Sequence, residues 1–188
     1  ATWALIQQSS QDALDVRQKA LSQLATAAEG ALNRSLLGAD LLLTQTAELI
    51  DLLGTDEHPA RRKQITTVLR SQVTQNLLVR EISLIQPDGS VIATSDPNAD
   101  RLGIEVPAAF LAMFNDPAVV GAKLSSPVAS TRRAERVLFF GRPIVMNGFG
   151  RAVAVAEISI ARLTASTIRD IAVDGTEITL ERNDGELL

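Results

Sequence analysis

Residues 21–50 read LSQLATAAEGALNRSLLGADLLLTQTAELI. Apolar residues recur at Leu21, Ala25, Ala28, Leu32, Leu36, Ala39, Leu43, Ala47 and Ile50. Their spacing of four, three, four, four, three repeats every 11 residues. That period lies close to the natural 3.6, so the stripe stays on one face of a nearly straight helix. A heptad phased from Leu14 also places Arg17, Gly38 and Gln45 in its second core position, which is poor for a coiled coil. The pattern predicts a spine that packs against a domain of its own chain, with Leu21 to Ile50 buried. The helix extends outward from this stripe, from about Thr2 to Leu53, with no proline before Pro59. At 1.5 Å per residue it spans roughly 75 Å, longer than a small domain is wide. Residues Gln7 to Gln23 are polar-rich and are expected to project and to mediate a weak parallel homodimer.

Gly54 ends the helix, and Pro59 opens a second one to about Asn76, with Ile65, Leu69 and Val73 on one face. From Leu78 on, the periodicity changes to that of strands. Val79–Ile85 and Val91–Thr94 flank the turn Pro87-Asp88-Gly89-Ser90. Pro107 opens a short helix carrying Phe110, Met113 and Phe114. Ala122–Pro127 is a weaker strand, and Thr131-Arg132-Arg133-Ala134 a loop. Arg136–Val145 and Arg151–Ile160 are the strongest strands, joined through Asn147-Gly148, a strong hairpin signal. A helix from about Ala161 to Ile171 and a strand from Thr176 to Arg182 follow. The fold class is α+β: a long helix on an antiparallel sheet.

The chain has 188 residues, 46% of them hydrophobic, enough for one core or one domain plus a fragment. A net charge of −4 speaks against a nucleic-acid partner. The absence of cysteine excludes disulfides, thiolate metal sites and a cysteine nucleophile. His58 is the sole histidine and stands in a turn, so no metal site is expected. Gly148-Phe149-Gly150 is a hairpin turn rather than a phosphate loop, and no Gly-x-Ser-x-Gly occurs. Neither catalytic residues nor a cofactor are expected. No run of about 20 apolar residues exists to span a membrane.

Residues 81–92 (EISLIQPDGSVI) and 177–188 (EITLERNDGELL) share five identities at an offset of 96: Glu81/Glu177, Ile82/Ile178, Leu84/Leu180, Asp88/Asp184 and Gly89/Gly185. Two readings remain open. Any strand–Asp-Gly–strand hairpin resembles another. Alternatively a domain-sized unit repeats, and the chain stops inside the first hairpin of a second copy, as part of a longer protein. On the second reading, residues 1–54 are the spine, 55–162 the first module and 163–188 the start of the next.

Three stretches resemble the Cache family, PAS-like extracytoplasmic sensors of bacterial membrane receptors: residues 81–96 (EISLIQPDGSVIATSD) with Leu102-Gly103, residues 126–145 (SPVASTRRAERVLFFGRPIV) and residues 148–160 (GFGRAVAVAEISI). The second hairpin makes the chain resemble a double Cache receptor over about residues 20–188. The resemblance implies a periplasmic module anchored by membrane segments outside this chain. It implies that a small polar metabolite or organic acid is bound, and that the signal leaves through the long helix. In amino-acid-sensing members a Tyr and an Asp follow the middle strand's Pro, and another Asp lies in the last strand. This chain has Val128, Ser130 and Glu157 at those places, so an amino acid is not implied. A cytosolic PAS-type dimerisation module and a ligand-free spacer are the alternatives.

The candidate ligand site lies on the sheet face away from the long helix. Glu157 sits in an apolar strand and there either meets a ligand, faces solvent or pairs with Arg142. Arg142 is the only charge in Val137–Val145 and suits a carboxylate if it is free. Ser126, Ser130 and Arg133 are the further polar candidates. Phe139 and Phe140 point to opposite faces, so only one of them can line a pocket.

Overall fold

The computed structural model describes the backbone of residues 2–54, 59–98 and 103–169, and side chains from residue 16 to residue 167 within those ranges, Pro59 excepted. Helix α1 spans Thr2–Asp51 without a break and ends at Gly54, which adopts a left-handed φ of 82°. Its buried face is Ala28, Ala31, Ala39, Leu42, Leu43, Thr46 and Ile50, with Leu32, Leu36 and Ala47 half-buried. Thr46 hides its hydroxyl by donating to the Leu42 carbonyl at 2.7 Å. The expected stripe starts too early: Leu21 is 57% exposed, and Ala25 is exposed as well. The reason is length. The longest strand has 12 residues and spans about 40 Å, so the N-terminal turns of a roughly 75 Å helix overshoot the sheet.

Helix α2 (Pro59–Gln75) follows, with Ile65 and Leu69 fully buried. The strands are β1 (Val79–Ile85), β2 (Val91–Thr94), β3 (Lys123–Leu124), β4 (Val128–Ser130), β5 (Glu135–Met146) and β6 (Gly150–Ser159). Helix α3 (Ala108–Ala112) lies between β2 and β3, and α4 (Ile160–Arg169) follows β6. The antiparallel sheet has the order β2-β1-β6-β5-β3, with β4 also paired to β5. β5 and β6 form the central hairpin, in register from Val137 opposite Ser159 to Met146 opposite Gly150. The strand expected over Ala122–Pro127 is split. Pro127 has no N–H to give to a ladder, and Ser125 takes over locally. Its N–H donates to the Phe139 carbonyl, and its Oγ accepts from the Phe139 N–H, each at 2.8 Å.

Alternation along β5 and β6 gives the sheet two different faces. One presents Leu138, Phe140, Ile144, Ala152, Ala154, Ala156 and Ile158 to a core shared with α1 and α2. The other presents Val137, Phe139, Val153 and Val155 to Phe110, Leu111 and Phe114 around α3. Gly141 makes this cover possible. A Cβ there would stand 2.8 Å from a ring carbon of Phe114 and 2.9 Å from one of Phe110. Arg151 fixes the cover from the sheet side, donating from Nη2 to the carbonyls of Phe114, Asp116 and Val119. The hairpin expected over residues 176–188 lies outside the described residues.

Candidate functional site

Beyond the apolar patch under α3, the far face turns polar. Along β6, Val153, Val155 and Glu157 share this face, and Phe139 stands opposite Glu157 on β5. On β1, Glu81 is the cross-strand neighbour of Glu157 on the other side. Two carboxylates thus lie side by side, Glu81 at 4% and Glu157 at 3% exposure. Like charges opposite one another in a sheet destabilise it unless they are neutralised.

The neutralising charges come from one turn. Residues 131–134 place Arg132 and Arg133 over the two carboxylates, and Ala134 adopts a left-handed φ of 50°. Arg133 donates from Nε to Glu157 Oε1 at 2.6 Å, with its Nη2 3.6 Å from Glu81 Oε2. Arg132 reaches Glu81 Oε2 at 3.2 Å from Nη2 and Asp96 Oδ2 at 2.6 Å from Nη1. Its Nε lies 3.5 Å from Glu105 Oε2 and makes no hydrogen bond. Glu81 Oε1 also accepts from the hydroxyls of Ser83 and Thr94, each at 3.0 Å.

Glu105 latches the turn. It accepts from the Ser130 hydroxyl at 2.6 Å, the Thr131 N–H at 3.0 Å and the Arg132 N–H at 3.1 Å. Burial alone would raise its pKa. The donors Ser130 and Thr131, the Arg132 amide and the Arg132 charge outweigh burial and hold it at about 2. Glu157 goes the other way. Burial pushes its pKa up, and the charge and hydrogen bond of Arg133 only partly offset this. Burial lowers the Arg132 pKa, but Glu81, Glu105, Asp96 and Glu157 more than reverse it. Four carboxylates therefore converge on two guanidinium groups. The space left among them is about 10 Å3, room for about one water.

The structure brings Glu157, Arg133, Ser130 and Phe139 together. It removes Arg142 and Phe140 from them. Phe140 lies in the core against α1, and Arg142 binds both oxygens of Asp40 on α1 at 2.6 and 2.7 Å. The expected choice between Glu157 and a free ligand as the partner of Arg142 is corrected: odd and even positions of β5 face opposite ways, and Glu157 is on the odd side. Ser126 is exposed. Sequence reasoning missed Glu81, Asp96 and Glu105, and placed Arg132 in a loop without giving it a role. Glu81 carried a readable signal, a carboxylate on the same pleat as Ser83 within an apolar strand. Asp96 and Glu105 lie in irregular segments, where no periodicity points. Among the described residues, no three His, Cys, Asp or Glu side chains are grouped to hold a metal ion.

No family model and no curated protein matches the sequence. Solved structures do. The extracellular domain of rpHK1S-Z16, assigned as a histidine kinase, superposes with a TM-score of 0.63 at 20% identity, over 89% of this chain and 67% of that one. The ligand-binding domain of the Pseudomonas aeruginosa PAO1 amino acid chemoreceptor PctB, in complex with L-Arg, gives 0.59 at 18% identity, over 89% of this chain and 68% of that one. The ligand-binding domain of the Pseudomonas fluorescens chemoreceptor CtaA, in complex with L-serine, gives 0.54 at 15% identity, over 87% and 66%. The chain spans about two thirds of the length of these domains. Among the described residues, no helix is long and apolar enough to cross a membrane. A long helix packed on an antiparallel sheet is thus the fold that this chain shares with the extracellular domain of a histidine kinase and the ligand-binding domains of chemoreceptors.

Proposed function

We propose that this chain is the extracytoplasmic ligand-sensing part of a bacterial transmembrane receptor, without catalytic activity of its own, and that it detects a small molecule carrying an ammonium or guanidinium group. The fold supports the sensor reading. The ligand class rests on one observation: Glu81 and Glu157, adjacent and buried, are held in place by guanidinium groups from a single short turn. A buried carboxylate pair is costly for a merely structural purpose. It forms a receptor for a cation, and in this state the chain supplies the cations itself. Binding then means exchange. The 131–134 turn lifts, the ligand's cationic group takes its place, and a freed guanidinium is available to a ligand carboxylate. The ligand shifts the balance only by its differential affinity for the two turn positions. β5 carries the change to α1, because Phe139 faces the site and Arg142, three residues on, grips Asp40 of α1. On this reading the sequence of residues 177–188, which repeats that of 81–92, belongs to a second module, while Leu163 still packs in the core of the first. Exposed Val16, Leu21, Leu37 and Leu41 on α1 fit a weak parallel dimer, to be checked by light scattering.

Thermal-shift screening tests the ligand class. Amines, amino acids and guanidino compounds are compared with organic acids lacking nitrogen. Stabilisation by amine-bearing compounds is expected, larger for amino acids than for their N-acetyl forms. Stabilisation equal with and without the amine would overturn the cation reading. No hit from any class would leave α1 and its sheet as a spacer.

A further inference from the structure

A second concavity lies outside the far-face cluster. It is a half-open groove of about 640 Å3 between α2 and β2, within the size range of small-molecule sites. All four residues of β2 line it, which a strand seen face-on cannot do. The groove therefore runs along the outer edge of β2, which ends the sheet and leaves a row of backbone N–H and C=O groups without a strand partner.

The opposite wall is cationic. Arg62 and Arg70 stand two turns apart on α2, about 12 Å along its axis, with Thr66 between them and Lys63 alongside. Among the described residues, no carboxylate pairs with Arg62, Lys63 or Arg70. Arg70 donates from Nε to the Ser95 carbonyl at 3.2 Å, which turns its guanidinium toward the β2 side. The only acid in the lining among the described residues is Asp96, and Arg132 holds its carboxylate at 2.6 Å. Among the described residues, three cations thus face a groove without a free counter-charge, in a chain whose net charge is −4. The other walls include Val91, Ile92 and Ile104, which suit an apolar body.

We infer that this groove is a second ligand site, for a small organic anion whose carboxylate or phosphate group meets the α2 cations and whose body lies along β2 and Ile104. Its chemistry is opposite to that of the far-face cluster, and the two adjoin through Thr94, Asp96 and Gly103.

Calorimetric titration with succinate, citrate, glycerol 3-phosphate and inorganic phosphate tests the site. Three variants accompany wild type: the double variant Arg62→Ala/Lys63→Ala, Glu157→Gln, and Arg17→Ala on the exposed part of α1. At least one organic anion should bind, about tenfold or more weaker in the double variant and unchanged in the other two. Added salt should weaken it. Tighter binding of the phosphate ester than of either acid supports the site and assigns it to phosphorylated ligands. Equal affinity in wild type and the double variant overturns the inference, as does the absence of heat with all four probes. A loss confined to Glu157→Gln also overturns it, by placing the anion in the far-face cluster. Arg62 and Lys63 are exposed, so the double variant should fold, which its unfolding temperature will verify.

Discussion

Toward α1, β5 turns Leu138, Phe140, Ile144 and Met146, all buried among apolar neighbours. Toward the other side, the same strand turns Val137 and Phe139, and Phe139 looks across at a buried carboxylate. Among the described residues, the only ion pair on the helix side joins Asp40 and Arg142 at the margin, each about a third exposed. On the far side, Glu81, Asp96, Glu105 and Glu157 meet two guanidinium groups with little access to water. One face maximises apolar contact. The other exchanges apolar contact for polar groups that another molecule can replace. Spine and polar cluster occupy opposite sides of the same strands, which makes each separately breakable.

The largest effect is expected on the helix face. Leu43 is fully buried, so Leu43→Asp should cost about 4 kcal/mol and lower the unfolding temperature sharply. Leu21→Asp, on the overshooting turns, should change it little. Similar losses from both would show that the N-terminal turns are packed after all. On the far face, Gly141→Ala presses a methyl group into Phe110 and Phe114 and should cost about 1–3 kcal/mol. An unchanged melting curve would show that the α3 cover is loose.

Most of this fold was legible in the chain. β1 and β2 have the bounds that alternation and the Pro87–Ser90 turn predict, and β5 and β6 fall within one residue of theirs. Such elements carry periodic, local signals. The site was legible only in part, because its charges come from segments without a period. Glu157 announces itself by standing in an apolar strand. Arg142 does so equally and belongs to the opposite face, where Asp40, 102 residues away in the chain, receives it. Glu105 reaches the turn from an irregular segment, 25 residues before Ser130. Pairings of that span come from tertiary packing, which composition and spacing do not encode locally.

Acidity gives an intermediate test of the far face. The carboxyl of Glu105 is held at about 2, below its ordinary value. Stability from its ionised form is fully present above pH 4.5 and is lost as pH falls toward 2, about 1–2 kcal/mol after solvent screening. Glu105→Gln should remove that dependence and destabilise the protein at pH 7. Glu157, with a raised pKa, contributes in the opposite sense: its share is present at low pH and lost as pH rises through its folded value. A Glu105→Gln profile that keeps the wild-type slope between pH 5 and 2 would assign the acid sensitivity elsewhere.

The smallest effect sharpens the comparison from the helix side. Asp40→Asn removes one charge of a pair about a third exposed and should cost about 0.5–1 kcal/mol, with ligand affinity unchanged. A large loss of affinity in that variant would place the site against α1.

The central claim is that Glu157 receives the ligand's cationic group. Because burial disfavours its charge in the folded state, Glu157→Gln should keep or raise the unfolding temperature at pH 7. Calorimetric titration of this variant with the best amine-bearing compound is the most direct measurement. The account predicts affinity weakened by about tenfold or more in a fully folded protein. Unchanged affinity in a folded Glu157→Gln variant would contradict it.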